Sequence, residues 1–483
     1  MTTLKSLKSD VSTTSDDRLT LHVCETISRW RYDDLPPEVV KSAKLFMIDT
    51  LGVIAGACNA PGILALNRRL ARWEQNGAAT GLLGKRRYSP PTAALANGTA
   101  AHALEFDDMH DAARVHGYCT VLPSVLAAAE DKGHVSGKDF LLAMVAGAEL
   151  NARLGITCYD SISQGWHSTC LFGIMAGAVA AGRVLGLDDG ERLLNALGIA
   201  FHQAGGTLES ADGVLSKRLG PGFAARSAVL SAFLAADGMT GPRRPLEGKA
   251  GMFALYQRGQ VRREKLTLGL GQEWQLLDYC YKPFPSGRIN HNIILLAIEF
   301  TNAGIKPGDV KHGRILLGRV NREVVGKPYA PGANPTIDAQ FNACYSFARA
   351  LIDGTVDLNS YQIEKVVDPE VLALTSRLVV EEDPSMDPWA MPHAKVELTL
   401  TDGRTIARRR DVMKGSREDP LTEQEAMAKL RHCMAFGLHA APADADRLAQ
   451  TVMTLERQDD AAQAIVSVFP LAPEPAARKS DHA

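Results

Sequence analysis

Residues 97–117 bring several groups capable of acid–base chemistry together in a short stretch of sequence. Three histidines and four carboxylates follow a run of small apolar residues: His102, Glu105, Asp107, Asp108, His110, Asp111 and His116. The apolar run has the composition of a buried helix, so the ionisable groups are expected where a core helix ends. Burial and mutual interaction shift pKa values at such a place, and groups with shifted pKa values suit proton transfer.

Three further segments combine polar side chains with a glycine or a helix start. They are residues 165–169 with His167, residues 216–222 with Lys217 and Arg218, and residues 281–288 with Lys282 and Arg288. Ser168 or Thr169 is predicted to cap the following helix, which would place His167 at its positive end and keep the imidazole neutral. Lysine and arginine can bind substrate carboxylates while an imidazole removes a neighbouring proton. The combination fits elimination of water, decarboxylation or epimerisation of a polycarboxylic acid.

The same residues have structural interpretations, which the sequence leaves open. Lys217 and Arg218 fit a solvated surface as well as a binding site. His102 lies within an apolar stretch, where a histidine is usually hydrogen-bonded in the core. The adjacent Asp107 and Asp108 can equally cap a turn.

A metal site is a further alternative for residues 102–110. Histidines and carboxylates in this stretch are potential ligands of a divalent cation: His102, Glu105, Asp107, Asp108 and His110. Such a site would make the protein a metal-dependent hydrolase. No HExxH or cysteine-based spacing supports that interpretation, so we expect no metal.

The overall composition is that of a globular protein without a nucleic-acid-binding surface. Of the 483 residues, 46% are hydrophobic and 22% charged, and the net charge of -2 leaves no basic excess for nucleic acid. The eight cysteines are scattered singly, which favours buried free thiols of a reducing compartment. The polar N-terminus lacks the features of a signal or transit peptide, and no uncharged apolar run reaches the ~18 residues of a membrane span. A cytoplasmic protein without a membrane partner is expected.

The elements that must position these groups are mainly helices. Periodic apolar segments predict helices as far as residue 275, including one that opens at residues 34–37, and their many small residues predict closely packed helix axes. Strands and helices mix after that point, with an amphipathic helix predicted over residues 338–353 and a hairpin across residues 401–404, and helices return near the end. We therefore predict a mainly α fold, in which both chain ends form a large all-helical domain with an inserted smaller α+β domain. The predicted boundaries are 18–275 for the first helical part, 276–415 for the α+β lid domain and 416–465 for the returning helices, with disordered tails at 1–17 and 470–483.

Residues 97–108, NGTAAHALEFDD, resemble the signature of the MmgE/PrpD family. That family includes 2-methylcitrate dehydratase, cis-aconitate decarboxylase and iminodisuccinate epimerase. Further similar motifs follow in family order at residues 165–169, 216–219, 246–248, 282–285 and 338–341. Several collinear motifs are stronger than any single one.

The resemblance implies a fold, an assembly and a set of site residues. It implies the two-domain architecture described above, a homodimer, and chemistry in a cleft that needs neither a metal nor another cofactor. His116 and His167 match family active-site histidines, and Lys217 and Lys282 match family lysines, while Glu105 stands where the family usually has aspartate. We predict that His116, His167 and Glu105 are catalytic, and that Lys217, Lys282, Arg288 and Asp108 bind substrate.

The sequence also departs from the family pattern. Met109 replaces a common threonine, and Gly117 follows His116 in place of proline. The spacing from Asp108 to His116 is one residue longer than in the decarboxylases, Gly220 replaces a frequent histidine, and Gly287 stands where the decarboxylases carry a histidine. The last three departures argue against cis-aconitate decarboxylation itself, and Gly220 also weakens a direct transfer of 2-methylcitrate dehydration.

The sequence predicts a cofactor-independent lyase that acts on a small di- or tricarboxylic acid, similar to 2-methylcitrate dehydratase. His116 or His167 would abstract the proton next to a bound carboxylate, and the other histidine or Glu105 would donate a proton. The first alternative is an isomerase or epimerase of an iminodisuccinate-like dicarboxylate, which needs two bases on opposite faces of the substrate. The metal-dependent hydrolase and a catalytically inactive binding protein are further alternatives.

Overall fold

A computed structural model describes residues 18–74, 76–211 and 213–471, and the protein is mainly α-helical, as predicted. The first section contains α1 (Leu19–Arg29), α2 (Pro37–Gly56), α3 (Ile63–Trp73), α4 (Pro90–His102), α5 (Tyr118–Lys132), α6 (Gly137–Thr157), α7 (Ser168–Leu185), α8 (Gly190–Phe201), α9 (Leu219–Ala236), α10 (Met252–Leu255) and α11 (Glu264–Thr267). Its short strands are β1 (Ala79–Gly81), β2 (Arg86–Tyr88), β3 (Met109–His110) and β4 (Tyr279–Cys280).

The following section combines helices with a four-stranded sheet. Its elements are α12 (Asn290–Asn302), β5 (Val310–Leu317), α13 (Arg319–Val325), α14 (Pro335–Gln340), α15 (Ala343–Asp353), α16 (Ile363–Val366), α17 (Pro369–Thr375), β6 (Leu378–Glu382), β7 (Ala394–Leu400) and β8 (Thr405–Arg410). The strand order is β6-β5-β7-β8, in which β5 and β6 are parallel and the other pairs antiparallel. The chain then ends in α18 (Glu423–Leu438), α19 (Pro442–Met453) and α20 (Ala461–Val468).

Small residues let the central helices approach closely, as their composition predicted. A Cβ atom on Gly222 of α9 would lie 2.6 Å from the carbonyl oxygen of Leu95 in α4. A Cβ on Gly173 of α7 would lie 2.7 Å from the side chain of Thr120 in α5. Because neither glycine carries a side chain, α4, α5, α7 and α9 pack backbone against backbone, and the functional segments at their ends come together.

The described residues contain three groups of buried apolar residues, of which the two larger ones organise the molecule. One contains residues from both chain ends, including α2 and α18, where a Cβ on Gly52 would lie 2.9 Å from the side chain of Leu430. The other lies between Phe284 and Leu400 and is formed by α12, α15 and the four-stranded sheet. The expected arrangement of the domains and their boundaries stay a prediction.

The structure corrects one predicted element in the second section. The amphipathic pattern of residues 338–353 predicted a single helix, but α14 ends at Gln340 and α15 begins at Ala343. The side chain of Asn342 accepts a hydrogen bond from the backbone N–H of Tyr345, so it caps α15 and starts a new helix. The hairpin predicted across residues 401–404 is present, with Gly403 at a φ of 87°.

The predicted disordered tails lie outside the described residues, apart from Pro470 and Leu471. All eight cysteines are buried free thiols, as predicted. Three helical stretches, Gly137–Thr157, Ser168–Leu185 and Leu215–Ala236, are long and apolar enough in composition to cross a membrane. Their most apolar windows are 94%, 89% and 56% buried inside the protein, so packing against other helices accounts for the apolar character of the first two.

Candidate active site

The turn that follows α4 is held by three side chains from distant parts of the chain. Residues 104–106 present three consecutive carbonyl oxygens, which accept hydrogen bonds from Gln340 Nε2 (2.9 Å), Lys282 Nζ (3.2 Å) and Lys429 Nζ (2.7 Å), respectively. Glu105, in the middle of this turn, has a φ of 54°, in the left-handed region that a glutamate rarely adopts. Long-range contacts therefore fix a backbone conformation that the local sequence would not favour.

A short antiparallel pairing brings the loop before Arg288 to the same place. In it, β3 pairs with β4, so that His110 lies opposite Tyr279. His110 Nε2 lies 3.1 Å from the carbonyl oxygen of Gln275, and its ring meets that of Tyr279 edge to face. His110 is thus a buried structural residue, and this pairing places Lys282 beside Glu105.

Asp107 lies between two imidazoles. Its Oδ2 is 2.8 Å from His102 Nδ1 and 3.2 Å from His116 Nδ1. Burial favours the neutral acid, but both imidazoles outweigh burial and hold the pKa of Asp107 well below its usual range, so it is a carboxylate. His116 Nδ1 also contacts the carbonyl oxygen of Asp108. Since both partners of Nδ1 are acceptors, Nδ1 carries the proton of the neutral ring, and Nε2 keeps its lone pair for the cavity.

His102 contacts the same carboxylate oxygen of Asp107 that His116 contacts. Its ring is fully buried, and burial lowers its pKa, so the neutral form is favoured. Its Nε2 lies 3.4 Å from Lys217 Nζ, and its ring centroid is 4.9 Å from that of His116. The interpretation of His102 as a hydrogen-bonded core histidine is therefore confirmed.

His167 approaches the same cavity from the start of α7. His167 is the N-cap residue of this helix, so the prediction that Ser168 or Thr169 caps it was wrong. Ser168 instead donates a hydrogen bond to the carbonyl oxygen of Arg114, and Thr169 Oγ1 accepts one from the backbone N–H of His116. Burial, with a further contribution from nearby Lys217, holds the pKa of His167 well below 6.5, so it is neutral, as predicted.

Cys170 determines which nitrogen of His167 carries the proton. Cys170 Sγ lies 3.0 Å from His167 Nδ1, and burial raises the pKa of the thiol to about 12. The sulfur therefore keeps its hydrogen and donates it to Nδ1, which leaves Nε2 protonated. A Cβ on Gly220 would lie 2.5 Å from Cys170 Sγ, so Cys170 requires the glycine that departs from the family pattern.

Two lysines share one carboxylate at the floor of the site. Lys217 Nζ binds Glu105 Oε1, and Lys282 Nζ lies 3.6 Å from Glu105 Oε2 and 3.9 Å from Asp107 Oδ1. Burial alone would raise the pKa of Glu105, but the two lysines lower it far below its ordinary value. Glu105 is thus a carboxylate and the counterion of the lysines, an environment that does not favour its predicted role as a proton donor.

The surface interpretation of Lys217 and Arg218 is wrong, because both are buried. They nevertheless differ in role. Lys217 points towards Glu105 and lies 4.9 Å above the ring of Phe341. Arg218 donates a hydrogen bond to the carbonyl oxygen of Pro61 (2.9 Å) and does not line the cavity that contains Lys217.

Asp108 holds the start of α5, an arrangement that does not fit its predicted role as a substrate ligand. Its carboxylate accepts hydrogen bonds from the N–H groups of Gly117 (2.8 Å) and Tyr118 (3.2 Å), and it is fully buried behind the cavity wall. Burial and the neighbouring Asp107 raise its pKa to about 7. The helix start also explains Gly117, because a Cβ there would lie 2.2 Å from Tyr279 Oη.

Arg288 lines the cavity but is already bound on every side by the protein. Its Nε and one terminal nitrogen contact Asp111 at 3.1 and 3.0 Å, and the other terminal nitrogen donates to the carbonyl oxygens of Lys414 (2.8 Å) and Tyr281 (3.2 Å). A substrate carboxylate would have to displace one of these partners. The geometry therefore favours a structural role for Arg288 at the junction of the two sections.

These segments enclose a cavity of about 400 Å³. Six of the seven predicted site residues line it: Glu105, His116, His167, Lys217, Lys282 and Arg288. The sequence interpretation missed Asp107 and Cys170 as partners of the two histidines, although Asp107 stands beside the chosen Asp108 and Cys170 follows His167 by three positions, one helical turn. Distance along a helix was the signal that could have identified Cys170.

The same group of side chains includes a possible metal-binding geometry. One potential ligand atom each from His102, Asp107 and His116 lie within 4.8 Å of one another. Lys217 and Lys282 stand 3.4 and 3.9 Å from this group and would repel a cation. Of the other residues proposed as metal ligands, Glu105, Asp108 and His110 are engaged elsewhere. The donor set therefore fits proton transfer better than metal binding.

The fold and the cavity together define a class of protein. It is mainly helical, and its buried cavity combines histidines that can transfer protons with two lysines that can attract an anion. The chain belongs to the MmgE/PrpD family, whose N-terminal domain matches residues 22–264 and whose C-terminal domain matches residues 284–455. The resemblance noted in the sequence is confirmed.

Curated relatives match the chain along most of its length. A cis-aconitate decarboxylase-like protein of Aspergillus oryzae is 29% identical, covering 94% of this chain and 98% of the relative. The cis-aconitate decarboxylase of Aspergillus terreus is 27% identical, covering 88% and 91%. The human cis-aconitate decarboxylase is 28% identical, covering 82% and 84%.

Proposed function

We propose that this protein is a cofactor-independent lyase that acts on a small di- or tricarboxylic acid by proton transfer at the carbon next to a carboxylate. The observation that carries this proposal is His116, whose Nδ1 is oriented by Asp107 at 3.2 Å, in the same cavity as Lys217 and Lys282. A base that is oriented by a carboxylate and stands beside two cations is suited to remove a proton from an anionic substrate.

The two lysines form the anion-binding part of the proposed site. In the free protein Glu105 contacts both lysines, and Lys282 also lies 3.9 Å from Asp107 Oδ1, whose other oxygen contacts two imidazoles. A substrate carboxylate placed between Lys217 and Lys282 would form ion pairs with both ammonium groups. It would also place its neighbouring carbon in the cavity that His116 lines, and the lysines would stabilise the charge that develops on the carboxylate as the proton leaves.

The two histidines have different tasks in the proposed elimination. His116 Nε2 accepts the proton from the carbon, and Asp107 stabilises the imidazolium that forms. His167 Nε2–H donates a hydrogen bond to the leaving hydroxyl, since its Nδ1 is engaged by Cys170 at 3.0 Å. A C–H bond and a C–O bond break, a C=C bond forms, and the hydroxyl leaves as water with the proton that His116 returns to it, so both rings end in their starting form.

A second candidate reaction uses the same residues, and the named relatives favour it. In a decarboxylation the bond between the carbon and a carboxylate breaks, carbon dioxide leaves, and a histidine returns a proton to the carbon. The departures at Gly220 and Gly287 weigh against cis-aconitate as the substrate of this reaction. Epimerisation is a third candidate, and it requires a base on each face of the substrate.

A panel of substrates distinguishes these reactions. The purified protein is incubated in heavy water with citrate, 2-methylcitrate, cis-aconitate, malate analogues and N-substituted aspartates, and each mixture is followed by proton NMR. A vinyl product formed with loss of water supports elimination, and loss of carbon dioxide supports decarboxylation. Deuterium that enters a substrate without loss of water or carbon dioxide points to epimerisation. No turnover and no exchange with any member would contradict the proposed lyase, and a stoichiometric metal by elemental analysis would favour the hydrolase.

We further propose that the protein is a cytoplasmic homodimer, as the resemblance and the composition led us to expect. Analytical ultracentrifugation at micromolar concentration tests the assembly, for which we expect a mass of twice 52.0 kDa. A single species at the monomer mass would contradict the proposed dimer.

A further inference from the structure

We propose that the active-site cavity contains a second, apolar subsite, which binds an aliphatic substituent of the substrate longer than a methyl group. This inference rests on the proposed function, because it assigns a substituent to the same polycarboxylic acid. It concerns the aliphatic side chains that line the cavity, to which neither the sequence motifs nor the proposed chemistry gives a task.

Six aliphatic side chains line the cavity and are called the apolar wall here: Ile162, Leu208, Ile289, Val320, Val324 and Met391. All six are partly or largely exposed in the free protein. Placing a carboxylate against such a wall would cost desolvation energy without a compensating partner. A substrate made only of carboxylates and a hydroxyl would therefore leave the wall in contact with water.

Two polar side chains that line the cavity, Asn321 and Arg114, are hydrogen-bonded to the protein backbone near Met391. Asn321 Nδ2 donates to the carbonyl oxygens of Ala390 and Met391, both at 3.1 Å. Arg114 donates to the carbonyl oxygen of Trp389 at 2.9 Å and stacks on its ring at 5.4 Å. These contacts fix the segment that carries Met391, so the apolar wall is built before a ligand arrives.

The polar and apolar side chains line one cavity, which is why we assign both to one molecule. The wall residues come from the loop before His167, the segment around Leu208, the residue before α12, α13 and the segment around Met391, and they line the space that His116 and Lys217 also line. The volume of about 400 Å³ lies within the range of roughly 300–1,000 Å³ that is typical of pockets for drug-sized ligands. A tricarboxylic acid of six carbons is smaller than such ligands, so room remains for an alkyl chain.

The experiment measures binding and turnover as functions of chain length. Tricarballylate, which has no hydroxyl group to eliminate, is used unsubstituted and with methyl, propyl and hexyl substituents, and its affinity is measured by calorimetry. Citrates with the same substituents are used for turnover. Each methylene buried against the wall is expected to raise affinity and kcat/KM about fourfold.

A pair of matched variants locates the effect. Val324→Asp introduces a carboxylate at the wall, whereas Val367→Asp changes a valine of similar exposure, 43% against 48%, that does not line the cavity. We expect Val324→Asp to abolish the gain with chain length, read within each variant as the ratio of the affinity of hexyl to unsubstituted tricarballylate, so that repulsion between the new carboxylate and those of the ligand cancels. Val367→Asp should keep the wild-type ratio.

Each outcome separates this inference from the proposed lyase. Affinity that is independent of chain length, or a gain that persists in Val324→Asp, would overturn the apolar subsite even if the short acids are turned over. Affinity that rises with chain length without any turnover would support the subsite and contradict the lyase. If no tricarballylate binds, the subsite is overturned, and turnover of the unsubstituted acids alone decides the lyase.

Discussion

His116 is the residue on which the proposed chemistry depends. Asp107 orients its ring, and the ring reaches the cavity from the loop before α5 without being enclosed on all sides. The environment of the ring accounts for its proposed role as base, because the carboxylate fixes the proton on Nδ1 and stabilises the imidazolium.

Replacing His116 by Gln should remove the base and preserve much of the shape of the side chain. We expect kcat for the substrate identified in the panel to fall by about a hundredfold or more, and exchange of the substrate proton in heavy water to stop. KM should change little, because the lysines that bind the carboxylate remain. The matched control is His202→Gln at an exposed histidine just after α8. Exchange that continues at the wild-type rate in His116→Gln would assign the base elsewhere.

Cys170 is expected to act through the orientation of the His167 proton. Cys170→Ser keeps a hydrogen-bond donor next to His167 Nδ1, whereas Cys170→Ala removes it. One lost hydrogen bond corresponds to roughly a three- to tenfold effect, so we expect kcat to fall by that factor in the alanine variant and to recover in the serine variant. KM should be the same in all three proteins. Equal rates in the alanine and serine variants would show that the thiol does not select the tautomer.

At the residue scale, the sequence identified which side chains belong to the site better than it identified the role of each. The residue types predicted a base, an acid and an anion-binding pair, and the histidines and lysines do line one cavity. Glu105 and Asp108 were assigned from residue type and from their place in the motif of residues 97–108. Their neighbours decide their roles: two lysines keep Glu105 ionised, and two backbone N–H groups bind Asp108. Neighbours from residues 112 and 177 positions away are not visible in a local motif.

The element that positions these residues is the turn at residues 104–106. Lys429 of α18 reaches it from the other end of the chain, binds the carbonyl oxygen of Phe106 and forms a buried ion pair with Asp49 of α2 at 2.6 Å. Its ammonium group also lies 4.1 Å above the ring of Phe106. One side chain therefore links α2, α18 and the turn.

Lys429→Met should destabilise the protein and disturb the turn together. The variant leaves the Asp49 carboxylate buried without its partner, which costs about 3–5 kcal/mol in the free energy of unfolding. The control is Lys41→Met, which breaks an exposed pair with Glu423 and should change stability little. Denaturant titration and kcat are measured for both.

The double variant Asp49→Asn with Lys429→Met separates the two effects. Removing the unpaired charge should restore part of the lost stability, while kcat stays low because the carbonyl oxygen of Phe106 still lacks its donor. Full recovery of kcat in the double variant would show that Lys429 contributes only charge balance.

Local patterns predicted the elements where they were regular. The hairpin at residues 401–404 and the start of α2 at Pro37 both follow from residue type. The break between α14 and α15 was missed, because the apolar period continues through Phe341 and Asn342 while the cap at Asn342 restarts the helix. The turn at 104–106 could not be predicted at all, since contacts from Gln340, Lys282 and Lys429 hold it.

At the scale of the whole molecule, the many buried titratable groups in and around the site make the stability of the fold depend on pH. Burial lowers the pKa of four histidines, at positions His102, His110, His167 and His291. Burial raises the pKa of three carboxyls, Asp49, Asp108 and Glu149, of which Asp108 reaches about 7. The two sets act in opposite directions on stability as the pH falls.

The histidines should dominate the pH dependence of unfolding between about pH 6.5 and 5. Below about pH 6.5 the unfolded chain protonates these histidines while the folded protein does not, so stability is complete above that pH and is lost as the pH falls. Asp108 opposes this, because its folded pKa is raised and it takes up its proton first in the folded state. We expect the unfolded chain to bind between one and three more protons than the folded protein in this range. The free energy of unfolding should therefore fall by about 1.4 to 4 kcal/mol per pH unit at most.

Two histidine variants test this prediction in the slope of stability against pH. His291, buried in the second core between Arg288 and the carbonyl oxygen of Ser286, is replaced by Gln, and His312, exposed on β5, is replaced by Gln as the control. Thermal unfolding is followed at pH 8, 7, 6 and 5. In the His291 variant, the slope of stability against pH below pH 6.5 should decrease by the equivalent of up to one proton, whatever the absolute stability of the variant. The His312 variant should keep the wild-type slope. A wild-type midpoint that does not change from pH 8 to 5 would mean that the carboxyls balance the histidines, and that the buried site imposes no acid sensitivity on the fold.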